Sequence, residues 1–402
     1  MSAAKRPAAA RRIIELRRVG FLNKGAELML LAILARLRAR YRGLEFALAP
    51  APEAPFSPRA RLGLWQKWEL RFRGLNLDAL GACLPARLRE RYGLVLDREL
   101  TAVLDAAGFA YSDQWGVYGQ RRCRELASQA RRCARLGVPL ILLPQAFGPF
   151  NSQGSQRAMR VVLAHASLIF ARDEASERAL KALGDPRGIV RRSPDFTPAL
   201  PAAEAVTVPV GPRPFFLVPN GRMVDRGASV TGAQYEAFLV TLARCAKAAG
   251  CAPYFLLHEG AGDQALVDAV NGRLEEPLPQ IHEEDPLRLK AYLGASEGGF
   301  ADRYHALVGA LSQGVPAFGA GWSHKYGALF EDFGWPEGQL SLEGSEAALA
   351  ARLGDALGPT QRPALGAVLA VASARLQAQT DAMWAQVDAC LLEAGLKAEA
   401  SP

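Results

Sequence analysis

Between Ala301 and Tyr326 the chain reads Ala-Asp-Arg-Tyr-His-Ala, then Gly-Val-Pro, then Ser-His-Lys-Tyr. That span supplies Arg303, His305, His324 and Lys325, separated by apolar residues and glycines. A guanidinium grips a planar anion through its fork of donors, and an ammonium adds a compact positive charge. Imidazole is the side chain that gains or loses a proton near neutral pH. Together they suit a small, highly charged anion whose chemistry needs a proton.

Such residues act only if a scaffold carries them to one place. The chain repeats a pattern of strand, glycine-containing turn and helix. Residues 13–20 read as a first strand, followed by Asn23-Lys24-Gly25 and an apolar helix over 26–40. Residues 44–48, 101–104, 139–143 and 168–171 read as further strands, with helical stretches such as 121–136 and 156–164 between them. Short apolar runs alternating with helices predict a parallel sheet covered on both faces. The proline-rich stretch 198–214 breaks the pattern and divides the chain into domains at 1–205 and 206–402. The pattern restarts at 215–219 and continues through 253–258, 280–282, 298–301 and 317–320. The segment 363–397 reads as long helix packing across the domains. The predicted fold is α/β, with two Rossmann-like domains facing a cleft.

Ligands of such sheets sit beyond the carboxyl ends of the strands, so the residues just after each strand carry the most weight. Asn23-Lys24-Gly25-Ala26-Glu27 opens a helix, where free N–H groups favour anions and Gly25 lets a ligand approach the backbone. The same residues also suit a plain cap and turn with Glu27 in the first helical turn. Asp113-Gln114-Trp115-Gly116 has the acid and aromatic of a sugar site, or the residues of a turn. Gln145 ends an apolar strand, to meet a ligand or to satisfy backbone groups. Arg172-Asp173-x-x-Ser176 reads as a helix cap. In the second half, Asn220-Gly221-Arg222 puts an arginine beside a glycine after the first strand, which suits a carboxylate or phosphate or else leaves a surface arginine. His258-Glu259-Gly260 adds an imidazole and a carboxylate at the same edge. Four positions after His258 stands Gly262, so no H-E-x-x-H zinc motif is present, and neither metal nor cofactor is expected. Lys325 follows the next strand and converges on Arg303 and His305.

Length and composition bound these readings. A chain of 402 residues exceeds one ordinary core. Half of its residues are hydrophobic and 22% are charged, as in soluble globular proteins. No apolar run reaches the ~18–20 residues that cross a bilayer, and the basic start of the chain makes a poor signal peptide, so a cytoplasmic location is expected. Six cysteines show no paired spacing, which argues against a disulfide framework or structural zinc. The net charge of +8 hides an asymmetry: residues 1–212 carry 34 Lys+Arg against 18 Asp+Glu, and residues 213–402 carry 14 against 22. A basic half suits a nucleotide diphosphate, an anionic glycan or a phospholipid surface, or simply solvated arginine-rich helices.

With these positions in hand, the sequence resembles the polysaccharide pyruvyl transferase family over about residues 19–334. The resemblance is carried by Asn23-x-Gly25-x-Glu27, Pro144-Gln145-x-x-Gly148-Pro149 and Ala171-Arg172-Asp173-x-x-Ser176. Pro194-Asp195 and Arg303-x-His305-Ala306 follow, then Gly314-Val315-Pro316 and Lys325. The order and spacing of these short motifs are more specific than any one of them. A departure is Ala26, where the family often has an acid; Glu27 stands beside it. The resemblance implies a GT-B-like fold, an acceptor-side first domain and a donor-side second domain. It also implies phosphoenolpyruvate as donor and a sugar hydroxyl pair as acceptor, giving a pyruvate ketal on a polymeric or lipid-linked cell-surface glycan. Arg303, Lys325 and Arg222 would then clamp phosphoenolpyruvate and His305 would protonate it. Glu259 or Asp113 would take the hydroxyl proton, with Asn23, Gly25, Gln145 and Asn220 lining the substrates.

Other readings stand beside this one. A GT-B-like glycosyltransferase using a nucleotide sugar needs an acid for the ribose, and Glu259 or Asp263 could serve. A non-catalytic binding protein that kept the fold is the third. No nucleic-acid partner is expected. Around residues 62–73, Trp65, Trp68, Leu70 and Phe72 mix with Arg61, Lys67, Arg71 and Arg73. That stretch suits peripheral contact with the inner membrane, or a helix packed on the first sheet with its basic face in water.

Overall fold

The computed structural model describes residues 11–69, 71–72, 75–76, 78–223, 231–257, 261–321 and 324–398, without the side chains of 71–79, Arg222 and Ala261. The chain forms two compact units. One comprises Met1–Leu22, Met29–Asp195 and Thr380–Pro402; the other comprises Asn23–Leu28 and Phe196–Gln379. Among the described residues no helix is long and apolar enough to cross a membrane.

The first unit is built on β1 (Ile13–Arg17), β2 (Glu45–Leu48), β3 (Trp65–Lys67), the short hairpin β4 (Arg71–Phe72) and β5 (Leu75–Asn76), β6 (Leu94–Val95), β7 (Leu100–Asp105), β8 (Leu140–Gln145), β9 (Leu168–Ala171) and β10 (Val190–Arg192). Apart from the hairpin, these strands form one parallel sheet in the order β10-β9-β8-β7-β1-β2-β3-β6. The central strands β7 and β8 are buried at every position, so apolar side chains face helices on both sides. The chain winds outward from β1 in both directions, which makes the carboxyl end of β1 a topological switch point. There Arg17 lies opposite Asp105 in the register with β7.

Helices of this unit start where local chemistry dictates. Ser152 and Asp173 accept bonds from the backbone N–H groups of Ser155 and Ser176 and so cap Gln153–His165 and Glu174–Lys181. Gly137, at φ 64°, closes Gly116–Leu136 in the left-handed region. The expected helix around 62–73 is not formed. Trp65–Lys67 is a strand between β2 and β6, and the alternation that puts Lys67 inward against Asp97 has period two, not 3.6.

The second unit holds β11 (Pro214–Val218), β12 (Ala252–Leu257), β13 (Gln280–His282), β14 (Gly298–Ala301) and β15 (Ala317–Phe318). All are parallel, in the order β13-β12-β11-β14-β15. The switch point here falls between β11 and β14, whose ends meet at Val218 and Ala301. The backbones of β14 and its neighbours are overlain tightly: a Cβ at Gly299 would come within 2.3 Å of the Phe216 ring. The helix Gln361–Glu393 contributes residues to both units.

Candidate functional site

In the second unit the residues after β14 sit at the switch point. Arg303 precedes the helix Tyr304–Leu311, and His305 lies in its first turn. The His305 ring rests against the backbone of Gly25, in the first turn of the helix Lys24–Arg40. A Cβ at Gly25 would stand 2.1 Å from His305 Nδ1, so only glycine leaves room for the imidazole in this position. The ring meets Tyr304 edge-on, with centroids 5.6 Å apart. Tyr304 in turn touches Tyr326, and the Lys325 ammonium lies 5.5 Å from the Tyr304 ring and 5.1 Å from that of Tyr326. Gly25, His305 and Lys325, distant in sequence, are thus joined through one tyrosine. His324 is exposed.

Two carboxylates brace this group. Asp263 accepts from Arg303 at 2.5 Å and from the Gly221 N–H at 3.0 Å, both groups being nearly buried. Asp302, fully buried, accepts from Tyr235 at 2.6 Å and from the Ala320 N–H at 2.8 Å. Its backbone carbonyl accepts from Asn220 Nδ2 at 3.0 Å and from the Tyr326 hydroxyl at 2.8 Å. Burial pushes the Asp302 carboxyl up to about 6, with the bonds from Tyr235 and Ala320 opposing the shift. Asn220 is therefore part of the frame that holds the β11 turn to the β14 turn.

At the helix entry Asn23 accepts from the Ala26 N–H at 3.0 Å, the bond of an N-cap. Lys24 and Glu27 pair at 3.0 Å. Burial raises the Glu27 carboxyl above its ordinary range, opposed by Lys24 and reinforced by Asp285 and Glu284. Glu259 and the side chain of Arg222 lie outside the described residues.

Gln145 and Asp113 belong to the first unit. Gln145, fully buried at the end of β8, donates to the carbonyl and the carboxylate of Asp105, each at 3.3 Å. Asp105 also accepts from Tyr111 at 2.8 Å, and burial raises its carboxyl against the pull of Arg18. Arg17 pairs with Glu15 at 2.6 Å, and Arg18, at φ 61°, reaches Glu125 at 2.7 Å. Asp113 accepts from Ser152 N–H at 2.6 Å, Ser152 Oγ at 3.0 Å and Ser155 Oγ at 2.5 Å, which ties it to the start of the helix Gln153–His165.

A model of the family described as polysaccharide pyruvyl transferase matches residues 23–324, from the Gly25 turn to the helix that carries Lys325. The chain belongs to the polysaccharide pyruvyl transferase family. No curated protein matches it. Among solved structures, Anabaena HepE in complex with UDP and glucose shares 15% identity at a TM-score of 0.55, over 95% of this chain and 100% of that one. The S. aureus MnaA–UDP structure shares 10% at 0.55, over 91% and 94%. Phytolacca americana UGT2 with UDP-2fluoro-glucose and pterostilbene shares 12% at 0.51, over 95% and 100%. At these identities the likeness is one of fold, that of GT-B glycosyltransferases and epimerases.

Within this pyruvyl transferase, sequence reading did not single out Asp302, Tyr304, Tyr326, Arg17 or Asp105. Asp302 and Asp105 follow apolar strand residues directly, and a lone acid at the end of a parallel strand is the signal that was open to notice. Tyr304 and Tyr326 sit among apolar residues and read as core.

Proposed function

We propose that this pyruvyl transferase takes phosphoenolpyruvate as donor and forms a pyruvate ketal on a hydroxyl pair of a saccharide. The observation that supports this most is the Gly25–His305–Tyr304–Lys325 contact chain, which sets an imidazole against a helix-entry backbone and an ammonium on the tyrosine beside it. Phosphoenolpyruvate carries a phosphate and a carboxylate. Lys325 and Arg303, the latter oriented by Asp263, supply the charge to hold them, with Arg222 as a third cation. His305 gives a proton to the methylene carbon, and a saccharide hydroxyl bonds to the adjacent carbon. The carbon–oxygen bond to phosphate then breaks, and the second hydroxyl bonds to the same carbon. One hydroxyl proton replaces the one spent by His305 and the other leaves with phosphate, so the products are a methyl-bearing ketal and inorganic phosphate. Glu259 is the carboxylate proposed for the hydroxyl protons, with Asn23, Gly25 and Asn220 around the donor.

The alternative, transfer from a nucleotide sugar, draws on structural neighbours that bind UDP. It calls for an acid on the ribose: the Asp263 carboxylate is already engaged by Arg303 and Gly221, and Glu259 lies outside the described residues. Thermal shift separates the two: stabilisation by phosphoenolpyruvate and indifference to UDP-glucose is the expected result, and the reverse would overturn the donor assignment. His305→Gln that kept full phosphate release from phosphoenolpyruvate and acceptor would remove His305 as the acid.

A further inference from the structure

The basic, tryptophan-bearing stretch around Lys67 has no part in the chemistry above, yet it borders a concavity of about 410 Å³ in the first unit. Trp68, Leu96 and Leu136 line it with apolar surface, and Asp97, Arg98, Arg132 and Arg135 line it with charge. Arg135 also lines a neighbouring concavity of about 470 Å³ with Arg131, Ser128 and His165. Asp97 pairs with Lys67 at 2.9 Å and with Arg132 at 3.0 Å. Arg98, Arg131 and Arg135 have no ion-pair partner among the described residues, and all three are exposed.

Arginines in the last turns of a helix are ordinary, because they offset the negative end of its dipole. That accounts for Arg131 and Arg135, which end Gly116–Leu136, but not for Arg98, which approaches from the segment after β6. It also does not explain why Arg98 and Arg135 line the same concavity as apolar side chains. Guanidinium groups converging on a concavity select phosphate oxygens, and an apolar lining rewards a ligand whose phosphate bears a flat or greasy substituent.

We propose that this concavity binds a phosphate or diphosphate ester whose apolar or planar substituent packs on Trp68, Leu96 and Leu136 while Arg98, Arg132 and Arg135 hold the phosphate. A lipid phosphate and a nucleoside diphosphate share that chemistry, so both are probed. Calorimetric titration of the full chain with geranyl diphosphate, adenosine diphosphate and inorganic pyrophosphate is the test. At least one ester is expected to bind one-to-one and at least ~10-fold more tightly than pyrophosphate, since burying a few methylene groups or a ring is worth more than ~1.4 kcal/mol. Which ester does so identifies the source. Arg98→Ala/Arg135→Ala is expected to weaken it at least ~10-fold through loss of two charge-assisted contacts. Leu136→Asp, at a site 42% exposed and therefore tolerant, is expected to do the same by placing a carboxylate in the lining. Lys325→Ala, which weakens the proposed phosphoenolpyruvate site, is expected to leave this binding unchanged, so the two proposals fail separately. The inference is overturned if neither ester binds, if pyrophosphate binds equally well, if the arginine variant binds as the parent does, or if Lys325→Ala abolishes the binding.

Discussion

Gly25→Ala tests the heart of the proposed site with the smallest possible change. The added Cβ would stand 2.1 Å from His305 Nδ1, 2.8 Å from Cγ and 3.0 Å from Cε1, where ordinary contact begins at 3.4 Å. The imidazole must therefore retreat by ~1.3 Å, and a displacement of ~1 Å in a group that transfers a proton can cost ~10²-fold in rate. Stability should move the other way or not at all. Alanine is the better helix former by up to ~1 kcal/mol, and it narrows the unfolded ensemble. The expected outcome is a ~10²-fold fall in phosphate release from phosphoenolpyruvate and acceptor, with an unfolding free energy within ~1 kcal/mol of the parent. The His305 imidazole resonances should shift while those of exposed His324 stay in place. Parental turnover with unshifted His305 resonances would refute the argument. Loss of activity together with several kcal/mol of stability would make the Gly25–His305 contact a matter of folding, not of chemistry.

Three further variants probe what surrounds that contact. Asp302 has its carboxyl raised from 3.8 to about 6 by burial. Its proton is bound more tightly in the folded state, so the corresponding stability is present below pH 3.8 and is lost as pH rises through about 6. The difference is on the order of 3 kcal/mol, and Asp302→Asn should flatten that part of the urea-unfolding profile between pH 4 and 6; a variant with the parental slope would refute it. Asp113→Ala removes three bonds at the start of Gln153–His165 and should cost ~2–3 kcal/mol in urea unfolding; a loss under ~0.5 kcal/mol would show that the carboxylate does not anchor this helix. Lys325→Ala should raise KM for phosphoenolpyruvate at least ~10-fold with an unchanged melting temperature, and an unaltered KM would remove Lys325 from the clamp.

How much of this was legible in sequence depended on how local the cause was. Strands such as Leu140–Gln145 were readable because a parallel strand buried on both faces must be an apolar run. Trp65–Lys67 was misread as helix because three residues with a buried lysine carry too little periodicity to choose between the two. His305 and Lys325 stood out because the ends of strands are where a Rossmann-like sheet presents its ligands. Gly25 was visible as a glycine at a helix start, but its partner was not, because nothing local links position 25 to position 305. Asp302 and Asp105 escaped notice for the same reason: their effect comes from burial and from partners far along the chain. The motif that holds Glu259, legible as chemistry, lies outside the described residues.

The charge asymmetry shows how a global number becomes a local argument. An excess of arginine in the first half need not mean a basic surface, because carboxylates can absorb it inside the fold. Here they do so by sharing. Glu125 serves Arg18, Arg121 and Arg122, and against the upward pull of burial their bonds hold its carboxyl down at about 2. Asp97 serves Lys67 and Arg132, and Glu15 and Glu69 both attend Arg17. Sharing satisfies the cations that are buried, where an unpaired charge costs most. It leaves the surplus with cations that water can solvate, and Arg98, Arg131 and Arg135 are among them. Composition sets the size of that surplus, but the choice of which cations are neutralised sets its place. A phosphate ester would meet the unneutralised ones, and the concavity beside Trp68 is where Arg98 and Arg135 stand together.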